Sequence, residues 1–375
     1  MTRHLPKPFI KLVLLLLIGL SAEYPAVLGQ QDVAIHHYLY VASPGIRNYM
    51  QYGGHGLMVF DMDHDFKFVK RIATGGLDKS GQPSNVKGVC VSMALHCIYI
   101  STLQSMMCLD LQTEKLLWEK YYEGGCDRMA ISPDGEIIYL PSLEGDDWKV
   151  VDARTGDVID RVVTHPGAHN TIYGSDDESV YLAGLRSPYL TVADGSHHRI
   201  TGKVGPFSNF IRPFTINGKQ TRCFVNIDSL LGFEIGDLQS GKKIRHIEVK
   251  GYQPGPVKRH GCPSHGIALT PDEKEIWLAD GFNESIHIFD ITNDQVKQTG
   301  TIKLSDQPGW ITISIDGKYA FPSTGEIIDV NKKKIITRLQ DEHHVYVQSE
   351  KMIEIQFKGK NLSKSGDQFG IGRMK

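Results

Sequence analysis

The sequence predicts an all-β chain: a seven-bladed β-propeller of four-stranded antiparallel blades, its ring closed by a C-terminal strand. Three observations predict it. First, the stretch from Cys126 to Val163 reads as four short strands joined by turns, with Ser132-Pro133-Asp134-Gly135 after the first strand and Thr155-Gly156 before the last. Second, degraded copies of this unit recur. His169 to Tyr173 leads into Ser175-Asp176-Asp177-Glu178, His265 to Leu269 into Thr270-Pro271-Asp272-Glu273, and Trp310 to Ile313 into Ser314-Ile315-Asp316-Gly317. A period of about 40–45 residues with four strands per unit is the mark of a propeller blade. Third, a four-stranded meander cannot bury both of its faces alone, so it needs copies on either side.

The blades follow in order. Tyr38 to Ala42, Gly56 to Asp61 and Phe66 to Ile72 give three strands of blade one. Between the first two lies a loop from Ser43 to His55 with several glycines, long for a strand connection and of the kind that often binds ligands. Blade two runs from Lys87 to Tyr122, blade three from Cys126 to Val163, blade four from His169 to Val204, and blade five from Phe210 to Val249. A Gly/Pro-rich excursion, Tyr252 to Gly261, precedes blade six at His265 to Leu304, and blade seven runs from Trp310 to Leu339. Blade one then lacks a strand, and Val345 to Phe357 has β-type runs but no blade of its own. Pairing the two closes the ring and removes exposed sheet edges, which otherwise invite aggregation.

The 375 residues are 41% hydrophobic and 22% charged, an ordinary globular composition. A formal net charge of -2 disfavours a nucleic-acid partner held by bulk charge. Arg3, Lys7 and Lys11 followed by the apolar run Leu12 to Leu20 read as a signal peptide, residues 1–29, with Ala22 an alternative cleavage point. Residues 30–375 are then one propeller domain of an exported, periplasmic or secreted protein, with no transmembrane helix after cleavage. The six cysteines fit no CxxC pattern. A Cys90–Cys97 bridge across a hairpin and buried free thiols both remain open.

The pattern Ser132-Pro133-Asp134-Gly135-x-x-x-Tyr139, then Val150-Val151-Asp152-x-x-Thr155-Gly156-x-Val158, resembles the YVTN/YncE-like family of exported seven-bladed propellers. The resemblance implies the fold. It leaves function open among ligand-binding proteins, lactonase-like enzymes and cofactor-bearing dehydrogenase subunits.

A propeller's ligand site is expected at one mouth of the channel, where the innermost strands begin. The residues at those starts are Asp127-Arg128, His169-Asn170, Asn209-Phe210 with Arg212, Cys262-Ser264-His265, and Gln307-Trp310, with His55 of the glycine loop as a further member. Arg128 and Arg212 can clamp a carboxylate or phosphate, His169 and His265 can serve as acid and base, Asn170 offers an amide, and Trp310 can stack on a sugar ring. The expected partner is a small polar ligand, anionic or carbohydrate-like, with lyase or hydrolase chemistry as an extension. A metal held by His55, His169 and His265 is a weaker reading, because no local spacing supports it. The sequence specifies no cofactor. Two rival readings are a scaffold for another envelope protein and a redox subunit with a bound metal or cofactor. Each candidate also has a plain structural use: Arg128 as a partner of Asp127 or Asp146, Trp310 as packing, Asn170 as a turn cap.

Overall fold

The computed structural model describes residues 1–2 and 34–374. The segment read as a signal peptide lies outside the described residues apart from Met1 and Thr2. From residue 34 onward the chain forms seven antiparallel sheets in a ring. Each blade runs from an innermost strand at the channel to an outermost strand at the rim. Blade three shows the order: Ala130–Ile131, Ile137–Pro141, Asp147–Asp152 and Val158–Val163 pair successively. Among the described residues no helix is long and apolar enough to cross a membrane.

The repeated turn explains why the copies are visible in the sequence. After the innermost strand the chain reverses by a tight turn whose last residue takes a left-handed backbone. That residue is Gly135 (φ 79°) in blade three and Gly317 (φ 74°) in blade seven, where glycine carries no steric penalty. In blade four it is Asp177 (φ 63°) and in blade six Glu273 (φ 57°). A glutamate is costly there, but its carboxylate accepts backbone N–H groups from Gly218 (2.7 Å) and Met374 (3.0 Å). The strained turn of blade six therefore anchors the C-terminal tail.

Strand residues alternate between the two faces of each sheet, so every blade presents apolar side chains to both neighbours. Seven apolar clusters result, one for each interface between adjacent blades. Fully buried members such as Val150, Ile172, Ile276 and Ile288 each contribute roughly 1.5–3 kcal/mol of transfer free energy. All six cysteines are free and buried. Cys90 lies opposite Tyr99, and Cys97 opposite Ser92, so the two thiols are not cross-strand partners.

The ring closes as the sequence suggests. Strand Met352–Lys358 pairs antiparallel with Ile35–Ser43, with Tyr38 opposite Ile355, and takes the innermost place in blade one. Blade one departs from the four-strand pattern in one respect. The chain turns back after Lys358, and Asn361–Ser365 pairs beyond the innermost strand as a fifth. From there residues 366–374 cross the inner strands of several blades. Gln368 receives the N–H of Val89 and donates to the carbonyl of Met129, Gly370 accepts from Thr215 and Leu269, and Gly372 donates to Ile216. The tail thus stoppers one mouth of the channel.

Candidate functional site

The opposite mouth is where the innermost strands begin. Because the seven blades are equivalent, residues at that register converge on the axis. Lys87, Arg128, His169, Arg212, His265 and the pair Glu350-Lys351 come from six different blades and line one cavity of about 160 Å³. Arg47 of the glycine loop and Arg259-His260 of the Gly/Pro-rich excursion complete its wall, with Glu144.

The floor is a buried charge network. Arg128 is 3% exposed; its guanidinium is ion-paired with Glu350 and lies 4.4 Å above the centroid of the Trp310 ring. Glu350 also takes Lys351 Nζ at 2.7 Å, and Lys351 donates to the carbonyl of Gly45. His260 Nε2 approaches Glu350 Oε1 to 2.7 Å, though the geometry is not that of a directed hydrogen bond. The His260 ring stacks on His265 at 3.8 Å, and His265 Nδ1 donates to the carbonyl of Gly309. On the other side Asp127, fully buried, takes His169 Nδ1 at 2.7 Å and Lys87 Nζ at 3.2 Å. With Nδ1 donating to Asp127, His169 Nε2 faces Arg128 Nη1 at 3.3 Å as an acceptor.

These neighbours set the protonation states. Burial pushes the carboxyls of Asp127 and Glu350 up, but the positive charges and hydrogen-bond donors around them overcome it. His169, Lys87 and Arg128 hold Asp127 well below the usual range, and Lys351, His260 and Arg128 do the same for Glu350. Burial and the Arg128 charge keep His169, His260 and His265 below the ordinary histidine value, His265 furthest. Burial also lowers Lys351, to about 7, against the pull of Glu350.

Four of the residues singled out from the sequence therefore line one cavity: Arg128, His169, Arg212 and His265. Arg212 is held by Asp228 at 2.8 Å. Trp310 sits one layer deeper, under Arg128, and donates Nε1–H to the carbonyl of Gln368, so it offers no open stacking face to the cavity. Asn170 bridges Arg128 through the backbone, but its buried amide meets no partner among the described residues and does not line the cavity. His55 is not brought to the site; it contacts the carbonyl of Gly75 at 2.9 Å. The three-histidine metal reading fails for that reason, and among the described residues no group of three His, Cys, Asp or Glu side chains is arranged to hold a metal. Lys87, Glu350, Lys351, His260, Arg47 and Arg259 were not anticipated. Glu350 and Lys351 could have been found, since they fall inside the segment Val345 to Phe357 expected to close the ring, just before its observed strand Met352–Lys358.

Six basic side chains line the cavity against two carboxylates, and Asp127, Asp228 and Asp306 partner some of the six from outside it. Arg47 makes no ion pair among the described residues; it donates to the carbonyl of Arg259. Such a mouth favours an anion, with Arg47 and Arg212 at its rim and Arg128 and Lys351 at its base.

No family model matches the chain, and no curated protein matches it. Among solved structures, Kuenenia stuttgartiensis hydrazine synthase is similar, with a TM-score of 0.58 and 13% sequence identity over 77% of this chain and 90% of that one. At that identity the likeness concerns the propeller fold alone. The YVTN/YncE-like resemblance goes no further than the repeat pattern.

Proposed function

We propose that this chain is an exported propeller that binds a small anionic ligand in the basic mouth of its channel. One observation carries the reading: four blades and two loops converge six basic side chains on a single cavity of about 160 Å³. That volume is below the roughly 300–1,000 Å³ of clefts for drug-sized ligands, so the occupant is compact, a short carboxylate, a phosphate or a single sugar acid. Export rests on the basic and apolar pattern of residues 3–20.

Catalysis is a second reading, supported by the His169–Asp127 pair. Arg128 occupies the lone pair of His169 Nε2. An anion that draws Arg128 toward itself frees that nitrogen to take a proton, and Asp127 stabilises the imidazolium that forms. A ligand with an acidic C–H or an ester beside its anionic group would then be the substrate.

Calorimetric titration with acetate, phosphate, citrate and glucuronate tests the binding reading, using the native chain and an Arg47→Ala/Arg212→Ala variant. Both arginines are at the rim, so the fold tolerates their loss. Saturable binding by one of these anions, weakened at least tenfold in the variant and by added salt, is expected. Absence of binding below millimolar concentration, or binding indifferent to the variant, removes the proposal.

A further inference from the structure

The mouth stoppered by the tail holds a different cavity, of about 580 Å³, within the size range of small-molecule clefts. Its wall is largely apolar: Val91, Met129 and Ile172 from inner strands, Ile353 from the closing strand, and Phe369 and Ile371 from the tail. Met93, Pro133, Ser175 and Lys364 stand around it on the solvent side, partly or fully exposed. The charged groups that line it are Lys364, Asp367 and Arg373. Arg373 spends one amino group on Asp367 Oδ2 at 3.3 Å, while Nη1 is buried and meets no partner among the described residues. A buried guanidinium nitrogen without an acceptor is costly, and a bound oxyanion would satisfy it.

We infer that this cavity is a second ligand site, for a free single-chain amphiphile whose hydrocarbon lies along the inner strands and whose carboxylate meets Arg373 and Lys364. Charge complementarity fixes the head group, because the one lining carboxylate, Asp367, already pairs with Arg373 and leaves a net positive rim. The largely apolar wall fixes the tail. The inference is independent of the anion proposed for the opposite mouth, since the two cavities share no lining residue.

The test is calorimetric titration of the native chain with octanoate, decanoate and dodecanoate, and with dodecanol. One-to-one binding that tightens by roughly fourfold per methylene is expected until the cavity is filled. Arg373→Gln should weaken dodecanoate about tenfold and leave dodecanol unchanged. Met93→Trp, at a partly exposed position, should fill the cavity and abolish binding of both, and unchanged melting curves would show both variants folded. No saturable binding of dodecanoate below its micellar concentration overturns the inference, as does binding indifferent to Met93→Trp or equal for acid and alcohol. Sedimentation of the protein with phosphatidylglycerol vesicles, in place of soluble one-to-one binding, overturns the assignment to a free amphiphile.

Discussion

Arg128 lies over Trp310, its guanidinium carbon 4.4 Å from the ring centroid, and the indole N–H of Trp310 is bonded to the tail at Gln368. The base of the basic mouth and the stopper of the other mouth are therefore two sides of one stacked pair. Trp310 also packs on Phe369 at 5.8 Å, which lines the apolar cavity. A ligand that moves Arg128 changes the environment of this indole.

Replacing Arg128 by methionine should cost about 3 kcal/mol of folding free energy. It removes the cation–π contact and one partner of buried Glu350, and such half-broken pairs are strongly destabilising. The Lys351 and His260 contacts to Glu350 hold the cost to that figure. Arg128→Lys should recover little of it, because an ammonium neither stacks nor spans Glu350 and His169 together. Urea denaturation of the three proteins measures both effects.

Stability should fall as pH drops from 7 to 4. His169, His260 and His265 have folded pKa values below their unfolded ones, so below about pH 6.5 the unfolded chain binds protons that the folded chain refuses. Asp127 and Glu350 are likewise depressed. Their contribution is present above the unfolded carboxyl values and fades as pH falls below about 4. All five shifts act with the same sign, the histidines first and the carboxylates below about pH 4. Thermal melting at pH 7, 5.5, 4 and 3 should show a decline in two steps, and His260→Asn should flatten the first.

Arg47→Gly should weaken anion binding without changing the melting temperature. Arg47 holds a left-handed backbone, φ 48°, a conformation that costs a side-chain-bearing residue about 1–2 kcal/mol. Glycine relieves that strain but loses about 0.5–1 kcal/mol of chain entropy, so the two nearly offset. Binding titration and calorimetric melting on the same sample separate the effects.

Gly370→Ala should dislodge the tail. Gly370 has φ 57°, and an added β-carbon would come within 2.4 Å of the Ala268 side chain and 2.8 Å of its Cα. Forced overpacking of this kind costs about 1–3 kcal/mol. Hydrogen exchange should quicken at Leu269 and Val89, whose N–H groups are bonded to the tail, and stay slow at the blade interfaces.

The architecture was legible because each blade repeats one local chemistry. A turn such as Ser132 to Gly135 needs its left-handed last residue, and that need writes itself into the sequence four times. The site was legible only where it followed the same repeat. Arg128, His169, Arg212 and His265 occupy equivalent strand starts, so counting from the turns finds them. Glu350 and Lys351 obey the same rule, but the closing strand has no turn motif of its own to count from. His260, Arg259 and Arg47 sit on connections outside the repeat, where only the folded path decides what they face. Trp310 misled for the opposite reason: it has the right register, but its bulk turns inward beneath Arg128. Nothing periodic marks residues 366–374, whose placement depends on backbone groups of blades two, three, five and six and on the Trp310 and Thr312 side chains of blade seven.

The union of the first and last strands also orders events in time. His37 and Glu354 touch across 317 positions of sequence. A ribosome delivers the first strand long before the one that sits beside it, so blade one waits with an open flank while the other six take shape. Until Met352–Lys358 emerges, that flank is the part of the nascent chain most ready to join the wrong neighbour, and a chaperone that shields this one strand would protect the whole ring.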